Sequence, residues 1–115
     1  MPPFDSVYSS CAWKHWPAPE RGSAECVRVA KSGGRIVVIE IDGSATPDEF
    51  WTFARTSHIP WGLRKAYLRF AMRTVVGVAP SRDQLAASFD GLQLGDLEVR
   101  RMESLPFLLA QALIL

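Results

Sequence analysis

At 115 residues the chain is long enough for one hydrophobic core but not for two, and its 48% hydrophobic and 22% charged content is that of an ordinary globular domain. A net charge of +1 gives no global electrostatic case for nucleic acid or an anionic membrane, although local patches stay open. Cys11 and Cys26 have neither a metal-ligand spacing nor a disulfide framework, no h-region follows Met1, and no run approaches the ~18 apolar residues of a membrane span, so a reducing, cytoplasmic setting is expected.

In chain order, Phe4 to Ser9 is a short strand candidate with Phe4, Val7 and Tyr8 as its apolar content. Ser9 to Pro19, with Trp13 and Trp16 flanking Lys14 and His15, reads as a loop whose prolines fix a turn. Pro19 suits the first turn of a helix carrying Ala24, Val27 and Ala30, with Gly22 a weak spot in it. Gly33 and Gly34 are expected to stop that helix through left-handed backbone, and Ile36 to Ile41 follows as a continuously apolar strand. An apolar run without alternation predicts a parallel strand covered on both faces. Strand, helix and strand together make a parallel crossover.

After Gly43, Thr46 and Glu49 form a capping box with Pro47 at the first helical position, and Phe50, Trp51, Phe53 and Ala54 supply an apolar face up to Pro60. A second helix is expected from about Trp61 to Val76, its Lys65, Arg69 and Arg73 on a solvated face. Ser81 and Gln84 make another capping box for a helix reaching Phe89 and stopping at Gly91. Leu97 to Met102 and Phe107 to Leu115 are the closing strands, interrupted by Pro106.

The succession FDSVYSS (Phe4 to Ser10), WKHWPAP (Trp13 to Pro19) and CVRVAKSGGRIVV (Cys26 to Val38) resembles the second half of class I S-adenosylmethionine-dependent methyltransferases of the type 11 kind. That family has a strand like FDxVxSS, a loop with a histidine and a W/L-P-D-P turn, a helix ending near V-L-K-P-G-G and a strand like RVVLxE. Ala18 stands where the turn usually has Asp, and Ser32 where Pro precedes the glycines. The resemblance covers the first 43 residues well and continues in element order beyond them. It implies an α/β fold comprising the second half only of a doubly wound, Rossmann-like methyltransferase sheet. By residue number this divides into 1–43 as core, 44–92 as a helical insertion and 93–115 as a closing antiparallel strand pair. The glycine-rich loop and ribose-binding acid of the family's first half are not found in these residues.

What the resemblance implies for chemistry is a methyl transfer from S-adenosylmethionine to a small acceptor, with weak or no cofactor binding by this chain alone. Ser9, Ser10 and Cys11 fall where the family touches the methionine end of the cofactor, or else form only a tight turn. Lys14 and His15 are the candidate catalytic donor and base, packing or capping being the plainer reading of a histidine beside two tryptophans. Trp13, Trp51 and Trp61 are candidate substrate contacts, with core packing as the alternative. No metal set is expected. Because the Phe4 to Ser9 strand would lack its outer neighbour, a homodimer or a partner chain is expected at that edge, without nucleic acid or membrane. A non-catalytic interaction module is the alternative function.

Overall fold

Two residue patterns set the first helix. Pro19 sits in its first turn, and small residues at Ser23 and Ala24 allow close approach to the sheet. A computed structural model describes residues 4–115, with Lys14 and Gly77 described by backbone alone. In it β1 (Phe4–Ser10) is followed by a 3-10 turn (Trp13–His15), α1 (Pro19–Val29) and β2 (Ala30–Ile41). Next come α2 (Pro47–Thr56) and α3 (Trp61–Phe70), which continues through a π-helical turn (Ala71–Val75) into a 3-10 turn (Val76–Val78). The chain ends with α4 (Arg82–Ala87), β3 (Leu94–Arg101) and β4 (Phe107–Ile114).

The four strands form one mixed sheet in the order β1-β2-β4-β3. β1 and β2 are parallel, with Val7 opposite Ile36 and Ser9 opposite Val38, as the crossover reading requires. β4 is antiparallel to both β2 and β3. The fold is thus α/β with a closing antiparallel pair, as expected from the sequence.

Two expectations are corrected here. Gly33 and Gly34 do not stop α1, because the backbone turns extended at Ala30, directly after Val29. They form instead an irregularity in β2: Phe4 pairs with Ala30 but Ser6 pairs with Arg35, so the residues between bulge out of register. Gly33 supplies the left-handed backbone (φ 83°), and a Cβ on Gly34 would lie 2.7 Å from the Asp5 carbonyl oxygen. β2, moreover, is not buried on both faces. Ile36, Val38 and Glu40 are buried whereas Val37, Ile39 and Ile41 are only half-buried.

The covered face is the one beneath α1 and α4. There Ala30, Ile36, Val38, Leu85, Phe89, Val99, Leu108, Ala110, Ala112 and Ile114 form the main core, joined by Val7, Trp13 and Cys26. The opposite face carries Tyr8, Val37, Gln111 and Glu98 in one cross-strand row, and Tyr8 is 71% exposed. Apolar continuity along a strand therefore announces burial of its centre without fixing how many faces are covered.

Both capping boxes form as the sequence indicates. Thr46 Oγ1 accepts from the Glu49 N–H while Glu49 Oε1 accepts from the Thr46 N–H, and Ser81 and Gln84 repeat the arrangement. The segment 44–92 divides in space. α4 belongs to the sheet layer through Leu85, whereas α2 and α3 form a lobe with its own small core of Ala45, Phe50 and Ala71, packed by Ile41, Tyr67, Leu68, Met72 and Val76. This lobe sits on the end of β2, and the molecule is accordingly elongated, 50 × 24 × 20 Å.

Candidate functional site

The carboxyl end of β1 is where the parallel part of the sheet meets the lobe. The Cys11 N–H bonds the Ile39 carbonyl at 2.8 Å, extending the parallel pairing one residue, and Cys11 then turns left-handed at φ 55°. A non-glycine residue in that region is strained by roughly 1–2 kcal/mol and marks a place where the surroundings dictate the backbone. Just before it, the Ser9 hydroxyl oxygen is buried with no hydrogen-bond partner among the described residues. Leaving such an atom unsatisfied is unfavourable by about 1–3 kcal/mol. Ser10 is exposed, its hydroxyl 4.0 Å from the Cys11 sulfur.

In the lobe, burial pushes the Tyr67 phenol up, and the electrostatic influence of Cys11 adds to the effect. Tyr67 also meets Phe50 and Phe53, each at a ring-centroid distance of 6.4 Å, and Phe53 stands edge-on to Phe107 at 5.0 Å. The result is an aromatic wall rising from the ends of β2 and β4 beside the Ser9–Cys11 turn. The sequence groups Tyr67 with Trp51, Phe53, Trp61 and Phe70 as an aromatic insertion suited to capping an apolar substrate or to core packing, and in the structure Tyr67 packs on the lobe core.

The remaining candidates lie in three places. His15 is exposed at the end of the 3-10 turn, and the Lys14 side chain lies outside the described residues. Trp13 points inward: it packs on the main core and donates its indole N–H to Ser88 Oγ at 3.1 Å. Ser88 in turn donates to the Leu85 carbonyl and lies 3.1 Å from the Ser23 hydroxyl, so this cluster locks the loop to α1 and α4. Trp16 covers α1 so closely that a Cβ on Gly22 would lie 2.2 Å from its ring. The glycine read as a weak spot is thus what admits that ring. Trp13 and Trp16 pack on the main core and on α1 rather than standing with Phe4 and Tyr8 on the exposed part of β1. In the lobe, Trp51 and Trp61 are perpendicular at 5.6 Å, with the Arg64 guanidinium 6.0 and 5.7 Å from their centroids. A groove of about 240 Å³ is lined by Trp51, Trp61, Gly62 and Lys65.

A second polar group closes the far side of the β2 turn. Arg101 Nε donates to Asp42 at 2.5 Å and its terminal nitrogen to Glu49 at 2.7 Å, while Asp42 also accepts from the N–H and hydroxyl of Ser44. Burial alone would raise the Asp42 carboxyl, but Ser44 and Arg101 outweigh it and hold it below the usual range. Glu49 is lowered first by its bond from Arg101, against burial. Both acids are therefore spoken for structurally, and the network ties the β2 end, the start of α2 and the end of β3 together.

No group of three or more His, Cys, Asp or Glu that could hold a metal occurs among the described residues. Neither cysteine forms a disulfide among the described residues, and both are half-buried. Burial, followed by Glu25, pushes the Cys26 thiol up, which suits a packing role rather than a nucleophile.

Residues 2–38 match the family model described as a methyltransferase domain. The N-terminal part of the chain is methyltransferase-like. That segment contains β1, the Ser9–Cys11 turn, α1 and β2 as far as Val38, which are the elements that carry the strand-end turn. Use of S-adenosylmethionine is what such a family suggests. No curated protein sequence matches the chain. Among solved structures, one described as a possible exported protein from Bordetella parapertussis is similar in fold, with a TM-score of 0.59 at 12% identity over 99% of this chain. The chain spans 40% of that protein's length. Among the described residues no helix is long and apolar enough to cross a membrane.

Proposed function

We propose that this chain is the second half of a class I methyltransferase domain, transferring a methyl group from S-adenosylmethionine to a small, apolar acceptor once other polypeptide residues complete the cofactor site. The observation that carries this reading is the sheet: a parallel β1–β2 pair, then antiparallel β4, then β3, in the order of the second half of the doubly wound methyltransferase sheet. In open α/β sheets ligands sit beyond the carboxyl ends of the parallel strands, and that is where Ser9, Ser10 and Cys11 lie, with Tyr67 within electrostatic range of Cys11. In this reading Ser9 and the Cys11 backbone contact the methionine end of the cofactor. The ligand would satisfy the Ser9 hydroxyl. Tyr67, Phe53 and Phe107 form the acceptor's apolar wall, and His15, exposed at the end of the 3-10 turn, is the donor or base, with Lys14 beside it in sequence as the alternative. Trp51 and Trp61 line a separate groove that takes the acceptor's outer part, while Trp13 supports the loop from inside.

Half a site binds weakly. Calorimetric titration of the isolated chain is expected to give no S-adenosylmethionine binding tighter than the millimolar range, and micromolar binding by a monomer would contradict the assignment of the missing contacts to other residues.

A second reading, an interaction module, is favoured by a contrast between the two sheet edges. β3 is guarded: Asp96, Glu98, Arg100 and Arg101 stud it, and its register shifts between Gly95 and Glu98 with Asp96 at φ 54°. β1 has no such defence. Asp5 is its only charge, and Phe4 and Tyr8 are 53% and 71% exposed. This edge suits a second copy or a partner chain, burying about 800 Å² or more per chain. Light scattering at micromolar concentration is expected to give twice the chain mass, and a stable monomer would leave the edge without a self-association role.

A further inference from the structure

Charge in this chain is segregated in a way that its net value conceals. Between Phe50 and Arg82 lie six of the thirteen Lys and Arg residues (Arg55, Arg64, Lys65, Arg69, Arg73 and Arg82) and none of the twelve Asp and Glu residues. The other seven cations share the rest of the chain with all twelve acids. In space this stretch is chiefly the α2–α3 lobe, seated on the sheet end of an elongated molecule. With Asp48 and Glu49 at the start of α2 and Arg82 in α4, the lobe holds five cations (Arg55, Arg64, Lys65, Arg69 and Arg73) against two acids, and the rest of the chain holds eight cations against ten acids, a basic lobe on a mildly acidic body.

The solvent side of α3 is also apolar. Its inner side, with Tyr67, Leu68 and Ala71, faces the lobe core. Leu63, Ala66 and Phe70, spaced three and four apart, fall on one strip of the outer side, and Leu63 and Phe70 are 59% and 61% exposed. Lys65, Arg69 and Arg73, all exposed, run beside that strip at four-residue intervals. Trp61, at the helix start, is 73% exposed, and Val78, past its end, is 56% exposed. Leu63, Phe70 and Val78 lie outside the lobe's buried cluster, whereas Trp61 also stands edge-on to Trp51. A surface that pairs them with unopposed cations is complementary to one that offers hydrocarbon and negative charge together.

We propose that the outer side of α3 is a docking surface for an anionic phospholipid bilayer, on which the helix lies in the interface plane rather than across the membrane. Leu63, Phe70 and Trp61 enter the boundary between headgroups and acyl chains, and Lys65, Arg69 and Arg73 reach the phosphates by extending outward from the same helix. The acidic body is repelled from the same surface and so orients the lobe toward it. Nucleic acid is the poorer fit. Leu63 and Val78 have no flat face on which a base could stack, and only hydrocarbon rewards their desolvation. This surface is distinct from the β1 edge; it shares Trp61 and Lys65 with the groove beside Trp51, and its vesicle-binding readout is separate from methyl transfer.

Flotation of the full chain with phosphatidylcholine vesicles, with and without phosphatidylglycerol, tests the proposal. Binding is expected only with phosphatidylglycerol present, weakening as salt is raised. Replacing Lys65, Arg69 and Arg73 together by glutamine should weaken it by about a hundredfold, roughly fivefold per basic residue. Leu63→Ser with Phe70→Ser should weaken it independently, whereas Arg35→Gln, a charge lost from the sheet, should leave it unchanged. All these side chains are exposed, and unchanged thermal unfolding of each variant verifies that the fold is kept. Equal binding to neutral vesicles, no binding to anionic ones, indifference to the glutamine triple variant, or displacement from vesicles by single-stranded RNA would each overturn the proposal.

Discussion

Phe50→Ala is expected to destabilise the lobe by about 3–5 kcal/mol, the range for deleting a buried phenylalanine ring. Phe50 is 1% exposed and lies at the centre of the small cluster with Ala45 and Ala71, edge-on to Tyr67. Few other fully buried residues support that cluster, whereas the sheet core under α1 and α4 is larger and does not include Phe50. The loss should therefore be uneven. Hydrogen exchange is expected to show α2 and α3 losing protection while β2 and β4 keep theirs. Simultaneous loss in both would mean that lobe and sheet are one cooperative unit.

The second large effect belongs to Arg101. Replacing it by methionine keeps most of the packing but leaves Asp42, whose side chain is 3% exposed, with Ser44 as its remaining partner among the described residues, and Glu49 with its Thr46 capping bonds alone. Breaking a fully buried pair is unfavourable by about 3–5 kcal/mol, and since the Arg101 side chain is 40% exposed the expected loss is nearer 2 kcal/mol. The pH dependence has a definite direction. Both carboxylates have folded-state pKa values below their unfolded ones, so the stabilisation is fully present above about pH 4 to 5 and is lost as pH falls through the lowered values. Denaturant unfolding at neutral pH and near pH 3 should show the wild type losing this increment on acidification and the variant losing less. Equal acid sensitivity in both would remove the ion pairs from the stability account.

How much of this was legible in the sequence depended on range. Thr46 with Glu49 and Ser81 with Gln84 declare their helix starts within four residues, and both boxes form. The parallel pair and the closing strands were also readable, since their hydrophobic runs and separations leave few other arrangements. Gly33 was misread because a left-handed glycine serves a helix stop and a strand bulge equally well. The choice was made by pairing with β1, which lies far back in the chain. Arg101 and Asp42 are 59 residues apart, and no local pattern links them. Tyr67 meets Phe50 and Phe53 only because α3 folds back onto α2, which no local pattern announces. The acid-free stretch from Phe50 to Arg82 was visible all along, but averaging over the whole chain hid it. That Leu63 and Phe70 face outward beside its cations could be known only once the other side of α3 was seen to be occupied.

The Trp13–Ser88–Ser23 cluster bears on how the strand-end turn is held. By anchoring the 3-10 turn to α1 and α4, it fixes the loop that follows Cys11 without drawing on the exposed side of Ser10. The turn is thus supported from within and open from without, as a binding turn on a rigid scaffold should be.

The most direct test of the methyltransferase reading is an NMR titration of the isotopically labelled chain with S-adenosylmethionine at millimolar concentration. The amide signals of Ser9, Ser10 and Cys11, together with Tyr67, are predicted to shift progressively in fast exchange without saturating in the micromolar range. Shifts confined to the Trp51–Trp61 groove, or an unperturbed Ser9–Cys11 turn at millimolar cofactor, would contradict the placement of the cofactor at the end of β1.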